Sequence, residues 1–165
     1  MSSNPEIPGV LRDVQLAGTP LRGIIKQGDF SLLAYIGLPL EHWAASAENV
    51  ELRCHRGVTW RGDGDDDGLP AGWHWIGWDY AHLGDRIHLP RAVTDLPEFS
   101  PLQVFLNRGK DWPVDEVWED LLDAAILVLS QIVEAEARIN SVTNDAQQAA
   151  AVAGAMLGKL GVVPR

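Results

Sequence analysis

Val114, Trp118, Leu121, Ala125, Val128, Ile132, Ala135 and Ile139 recur at alternating steps of four and three. Such a heptad seam lies on one side of a helix and on one side of nothing else, so this stretch is read as helix. Leu122, Ile126, Leu129 and Val133 form a second apolar stripe beside it. A surface helix needs one stripe. Two imply contact on two sides, either with a sheet and another helix or with a second subunit. Asp111 can cap the start, Pro113 fits the first turn, and Asp115, Glu116, Glu119 and Asp120 place negative charge where the helix dipole favours it. A last helix is expected from about 144 to 160, capped by Thr143 or Asn144 and built mostly of Ala and Gly. Small side chains bury little area each, so this tail needs a partner surface.

Upstream the pattern changes to short β-leaning runs. Val10–Leu16 and Leu21–Lys26 flank the turn Gly18-Thr19-Pro20, and Phe30–Leu38 is apolar enough for a buried strand. Val50–Arg61 and Gly72–His82 read as partners across a Gly- and Asp-rich loop, Gly62–Ala71. The expected fold is α+β, a small antiparallel sheet packed against C-terminal helices, in one domain over 1–165. Within it, 1–9 reads as a flexible arm, 10–85 as mainly β with the hairpin, 86–112 as irregular and 113–165 as two helices.

Charge and composition remove several functions. Acidic residues outnumber basic ones 23 to 13, giving a net charge of −10, which disfavours direct nucleic-acid or anionic-membrane binding. No apolar run approaches the ~20 residues of a membrane span, and no secretory leader is visible, so the expectation is a cytoplasmic protein without membrane contact. Cys54 is the one cysteine, so no intramolecular disulfide can form. Phosphate-loop, nucleophile-elbow and dinucleotide-fold signatures are missing.

Chemistry concentrates in the hairpin. Strand alternation places His55 and Thr59 on one face, and Trp73, Trp75, Gly77 and Asp79 together on one face of the partner strand. Five of the seven tryptophans fall between Trp43 and Trp78, a density that suits either a small core or an aromatic ligand floor. Asp79, His82 and Asp85 follow in a D-x-x-H-x-x-D spacing, with His55 near if the hairpin pairs. A histidine between carboxylates can hold a metal or act as an oriented base, and it equally serves as a strand-end anchor. The expected ligand-binding set is His55, Thr59, Trp73, Trp75, Asp79, His82 and Asp85, with no catalytic residue, metal or cofactor. Asp63–Gly68 opens like a calcium loop, yet its twelfth position is His74 rather than glutamate, so it reads as a solvated hairpin tip. Cys54 reads as a buried, inert thiol.

Tyr35-Ile-Gly-Leu-Pro39, His42, His55-Arg-Gly-Val-Thr-Trp60 and Trp75-Ile-Gly-Trp-Asp-Tyr-Ala-His-Leu-Gly-Asp85 together resemble a widespread, functionally uncharacterised family of small bacteriophage and prophage proteins. Its pattern is Y-x-G-x-P…H, H-G-G-x-T-[FYW] and W-x-G-[FW]-D-x-[AN]-H-x-G-D. Arg56 stands where that family usually has glycine, and Tyr80 often matches a cysteine. The resemblance covers Leu33 to Asp85 and implies a phage-like origin with a shared site around His55, Thr59, Trp75, Asp79, His82 and Asp85.

The function expected is a non-enzymatic, phage-type accessory protein that binds a small nucleotide-like ligand or a host protein, as in counter-defence. It would work in the host cytoplasm as a homo-oligomer assembled through 113–160. A small metal-dependent hydrolase using His55, Asp79, His82 and Asp85 is the first alternative, and an acidic nucleic-acid mimic the second.

Overall fold

The computed structural model describes residues 9–46, 50–64, 68–87 and 108–159. Residues 1–8 of the expected arm over 1–9, the aspartates at 65–67 and residues 88–107 of the expected irregular stretch over 86–112 lie outside the described residues. The α+β class holds. Five strands, β1 (Val10–Gln15), β2 (Arg22–Gln27), β3 (Leu32–Pro39), β4 (Trp60–Asp63) and β5 (Trp73–Asp79), form one antiparallel sheet in the order β1-β2-β3-β5-β4. A short 3-10 turn, Trp43–Ser46, follows β3. One helix, α1 (Val114–Lys159), completes the chain order.

Register assigns the two faces. Gly23 lies opposite Ile36 and Ile36 opposite Ile76, while Ile25 lies opposite Ala34 and Ala34 opposite Trp78. Directly paired residues share a face, so these six line one side of the sheet. That side meets α1: a Cβ on Gly23 would come within 2.8 Å of Leu121 and 3.0 Å of Trp118. Here α1 buries Val117, Leu121, Ala124, Ala125 and Val128. The opposite face carries Ile24, Tyr35, Trp75 and Trp60, closed by Leu69 from the β4–β5 connection. The Trp75 indole N–H donates to the Pro70 carbonyl at 3.1 Å, which ties that connection over the face.

Two expectations need correction. Val50–Arg61 is not one strand; only Trp60–Asp63 pairs with β5. Arg56 and Gly57 both have positive φ, at 57° and 96°, a conformation that interrupts any extended ladder. The two C-terminal helices are one continuous helix of 46 residues. Ile139–Asn144 contains neither Gly nor Pro, and the Thr143 hydroxyl donates back to the Ile139 carbonyl at 2.9 Å instead of capping a new start.

The chain divides into two compact units, one through Leu129 and one from Ser130. The first holds the sheet and the opening turns of α1. The second consists, in its described part, of the rest of α1. Its residues from Val133 to Met156 are exposed except for half-buried Ala135. The heptad seam nonetheless continues in phase through Val142, Ala146, Ala149, Ala153 and Met156. In the first unit the second stripe is only partly covered, with Ile126 66% exposed. Among the described residues, no helix is long and apolar enough to cross a membrane.

Candidate functional site

Two turns and one crossing segment converge past the end of β5. In the first, the Gly57 N–H donates to the Cys54 carbonyl at 3.2 Å, and this reversal carries His55 toward α1, where its backbone N–H donates to Asp120 Oδ2 at 3.2 Å. In the second, the Asp85 N–H donates to the His82 carbonyl at 2.9 Å. Gly84 sits in this turn at φ 100°, where a side chain would be strained, which accounts for the glycine of H-x-G-D. The crossing segment runs from Arg108 to Trp112 and is stitched to the second turn by Lys110 N–H to Gly84 O at 2.7 Å and Arg86 N–H to Lys110 O at 2.8 Å. Gly109 lies so near the Asp85 backbone that a Cβ there would collide with it.

The result is a compact polar and aromatic cluster. His55 Nε2 and Asp85 Oδ2 are 2.7 Å apart. Asp85 also accepts the Trp112 indole N–H on Oδ1 at 2.9 Å and the His82 backbone N–H on Oδ2 at 3.0 Å. Burial pushes the Asp85 carboxyl up, but these hydrogen bonds outweigh it and hold the group below the usual aspartate range. An ionised carboxylate only accepts, so His55 Nε2 carries the shared proton. The His55 ring stacks on Tyr80 at 4.8 Å with 5° between planes, and packs against Trp112 at 4.7 Å. Beneath it, Asp120 Oδ2 accepts the Tyr80 hydroxyl at 2.6 Å and the Trp78 indole N–H at 3.1 Å. Burial and the adjoining Asp120 carboxylate push the Tyr80 phenol far up, so it stays a donor.

Of the expected site, the structure brings His55, His82 and Asp85 together. Asp79 flanks them, with Oδ1 3.7 Å from His82 Nδ1 and accepting the Ala81 N–H at 3.0 Å. Trp73, Trp75 and Thr59 are not part of this cluster. Trp75 is fully buried among Ile24, Tyr35 and Leu69, and Trp73 packs beside it under the Arg22 guanidinium. Thr59 joins the sheet through its N–H to Gly77 O at 3.0 Å, with an exposed side chain. The face-sharing rule placed these residues together, but His55 lies in a turn, where strand alternation does not apply. His42 of the first motif caps the 3-10 turn by accepting the Ala44 N–H on Nδ1 at 3.2 Å.

Tyr80, Trp112 and Asp120 were missed from sequence. Asp120 reads from sequence only as one more acid in the early turns; in the structure it falls three residues after buried Val117 and four before buried Ala124, where an unpaired carboxylate would be costly. Trp112 carried no signal beyond its place just before the helix. Cys54 is half-buried, and burial, aided by Asp120, pushes its thiol up to about 11, which agrees with an inert role.

Two cavities adjoin the cluster. One of about 510 Å³ is lined by Leu11, Leu32, Tyr80, Arg86, Trp112 and Glu116 among others. The other, of about 500 Å³, is lined by residues including His82, Leu83, Asp85 and Arg108. No protein-family description, no curated protein and no solved structure matches this chain.

Proposed function

We propose that this chain is a non-enzymatic accessory protein of phage type that binds a small nucleotide-like ligand in the host cytoplasm, as a counter-defence protein would. The cavity of about 510 Å³ supports this most directly, because its size suits a small molecule and its lining mixes the needed chemistries. Half-buried Trp112, backed by buried Tyr80, offers an aromatic edge to a base. Arg86, whose guanidinium lies 3.7 Å from the Asp111 carboxylate, offers a cation to a phosphate, while Glu116 is paired with Lys110 at the rim. The motif resemblance supports the phage origin.

Thermal shift with mononucleotides and cyclic dinucleotides tests the reading. A binder raises the melting temperature with ligand concentration. Arg86→Ala, at a half-exposed position, weakens that binding by about 10-fold or more, since a lost hydrogen bond to a charged group is worth roughly 1.5–3 kcal/mol. A panel that shifts nothing at millimolar concentration overturns it.

The same reading includes a homo-oligomer. The exposed seam Ile139, Val142, Ala146, Ala149, Ala153, Met156 supports a second copy as its partner, because a 4-3 repeat on this uncovered length of helix matches another helix of the same repeat. Light scattering of wild type should give a multiple of the chain mass, and Ile139→Asp should give one chain. A single-chain mass for wild type, unchanged on dilution, refutes it.

A further inference from the structure

Nδ1 of His82 is buried and has no hydrogen-bond partner among the described residues. It lies 3.7 Å from Asp85 Oδ2 and 3.7 Å from Asp79 Oδ1, too far for a hydrogen bond. A buried nitrogen left unpaired costs stability, and this one faces two carboxylates. Carboxylates beside an unpartnered imidazole nitrogen make a place for a cation. His55 Nε2 completes the arrangement once the ion displaces the proton that it shares with Asp85, which leaves to solvent: one ligand atom from each of His55, His82 and Asp85 lies within 4.8 Å of the others.

We infer that His55, His82 and Asp85 form a binding site for a first-row divalent transition ion such as Zn²⁺. Two ligands at 2.0–2.1 Å from a tetrahedral ion stand roughly 3.3 Å apart. The 2.7 Å and 3.7 Å separations from Asp85 Oδ2 bracket that value, and rotation of the two imidazoles about their side-chain bonds closes a set whose ligand atoms all lie within 4.8 Å. Two imidazoles with one carboxylate select a borderline ion over Ca²⁺ or Mg²⁺, which prefer all-oxygen shells. The ligands are already held in place. Trp112 fixes Asp85 through Oδ1, and Tyr80 fixes the His55 ring by stacking. The cavity of about 500 Å³ beside His82 and Asp85 gives an entry path and room for a remaining ligand such as water. This inference stands independently of the nucleotide-binding reading, and it departs from the sequence expectation that the D-x-x-H-x-x-D spacing holds no metal.

The test uses the full chain, stripped with a chelator and titrated with Zn²⁺ or Co²⁺ alone. One ion per chain is expected, with a Kd below about 1 µM, and Co²⁺ should give visible d–d bands. His82→Gln should weaken binding by roughly 100-fold or more and abolish those bands. Its apo protein should melt close to wild type, because Nδ1 gives up no hydrogen bond. Asp85→Asn checks the carboxylate. His74→Ala is the control: His74 pairs with Asp63 at 2.9 Å across β4 and β5, and its loss should leave binding unchanged. No uptake by folded wild type, or equal uptake by folded His82→Gln, overturns the inference. Loss of binding in His74→Ala alone places the ion elsewhere and also overturns it.

Discussion

Leu121 and Val142 occupy the same position of one heptad repeat on one helix, yet Leu121 is fully buried and Val142 is 68% exposed. Up to Leu129, α1 is covered by a sheet whose Gly23 leaves room for Leu121 and Trp118. Beyond Val133 the same apolar period runs on with no cover in the described chain. Apolar spacing therefore fixes that a segment is helix and which side is apolar. It does not fix what that side meets. The two regions also differ in polar content. In the first, Asp120 sits among buried positions and gathers three donors; in the second, polar residues are solvated.

The largest effect should come from removing that gathering point. Asp120→Ala leaves the Trp78 indole, the Tyr80 hydroxyl and the His55 N–H without their acceptor, and the Trp78 and Tyr80 side chains are each only 1% exposed. Unsatisfied buried donors cost about 1–3 kcal/mol each, so a loss of roughly 3–5 kcal/mol is expected in denaturant unfolding. Asp145→Ala, in the exposed length of the same helix, should stay within about 0.5 kcal/mol. Equal losses would break the distinction between the two regions.

Next comes the matched pair on the seam. Leu121→Ala empties a fully buried site against the sheet and should cost about 2–5 kcal/mol. Val142→Ala should leave the unfolding midpoint of the sheet unit within about 0.5 kcal/mol and act only on the association of chains. Were Val142→Ala to destabilise a proven monomer by as much as Leu121→Ala, the exposed seam would have a partner within the chain.

How much of this was legible follows from which interactions are local. The first three strands, the β4–β5 pairing and the helix start came through because turn residues and apolar period are local signals. The break of the expected Val50–Arg61 strand did not, because it depends on Arg56 and Gly57 adopting positive φ, and only the glycine advertises that freedom. The merging of two helices hinged on Thr143, whose hydroxyl caps a helix or bonds back along one equally well by sequence. At the site, His82 and Asp85 share one short turn, so their spacing alone brings them together. His55 was grouped with them through an alternation argument that fails at its turn, so its companions Trp73, Trp75 and Thr59 were misplaced. Trp112 reaches Asp85 only because the backbone at Gly109 and Lys110 crosses the second turn, a contact between distant segments that no spacing encodes.

The smallest effect concerns strain, and its sign should differ between the regions. Arg56 is the one described non-glycine residue at positive φ, at 57°, and it sits in the turn that delivers His55. The left-handed conformation costs an L-residue roughly 1–2 kcal/mol, while glycine pays about 0.5–1 kcal/mol in lost unfolded-state freedom. Arg56→Gly should therefore raise stability by about 0.5–1 kcal/mol, a rise of a few degrees in Tm. Arg138→Gly makes the same exchange in the exposed helix, where φ is ordinary and the side chain pairs with Glu134 at 3.3 Å. There glycine should cost about 1 kcal/mol of local helix stability, read as lost helical circular dichroism with the Tm of the sheet unit unchanged. If Arg56→Gly lowers Tm instead, the arginine side chain holds that turn by contacts that outweigh its backbone strain.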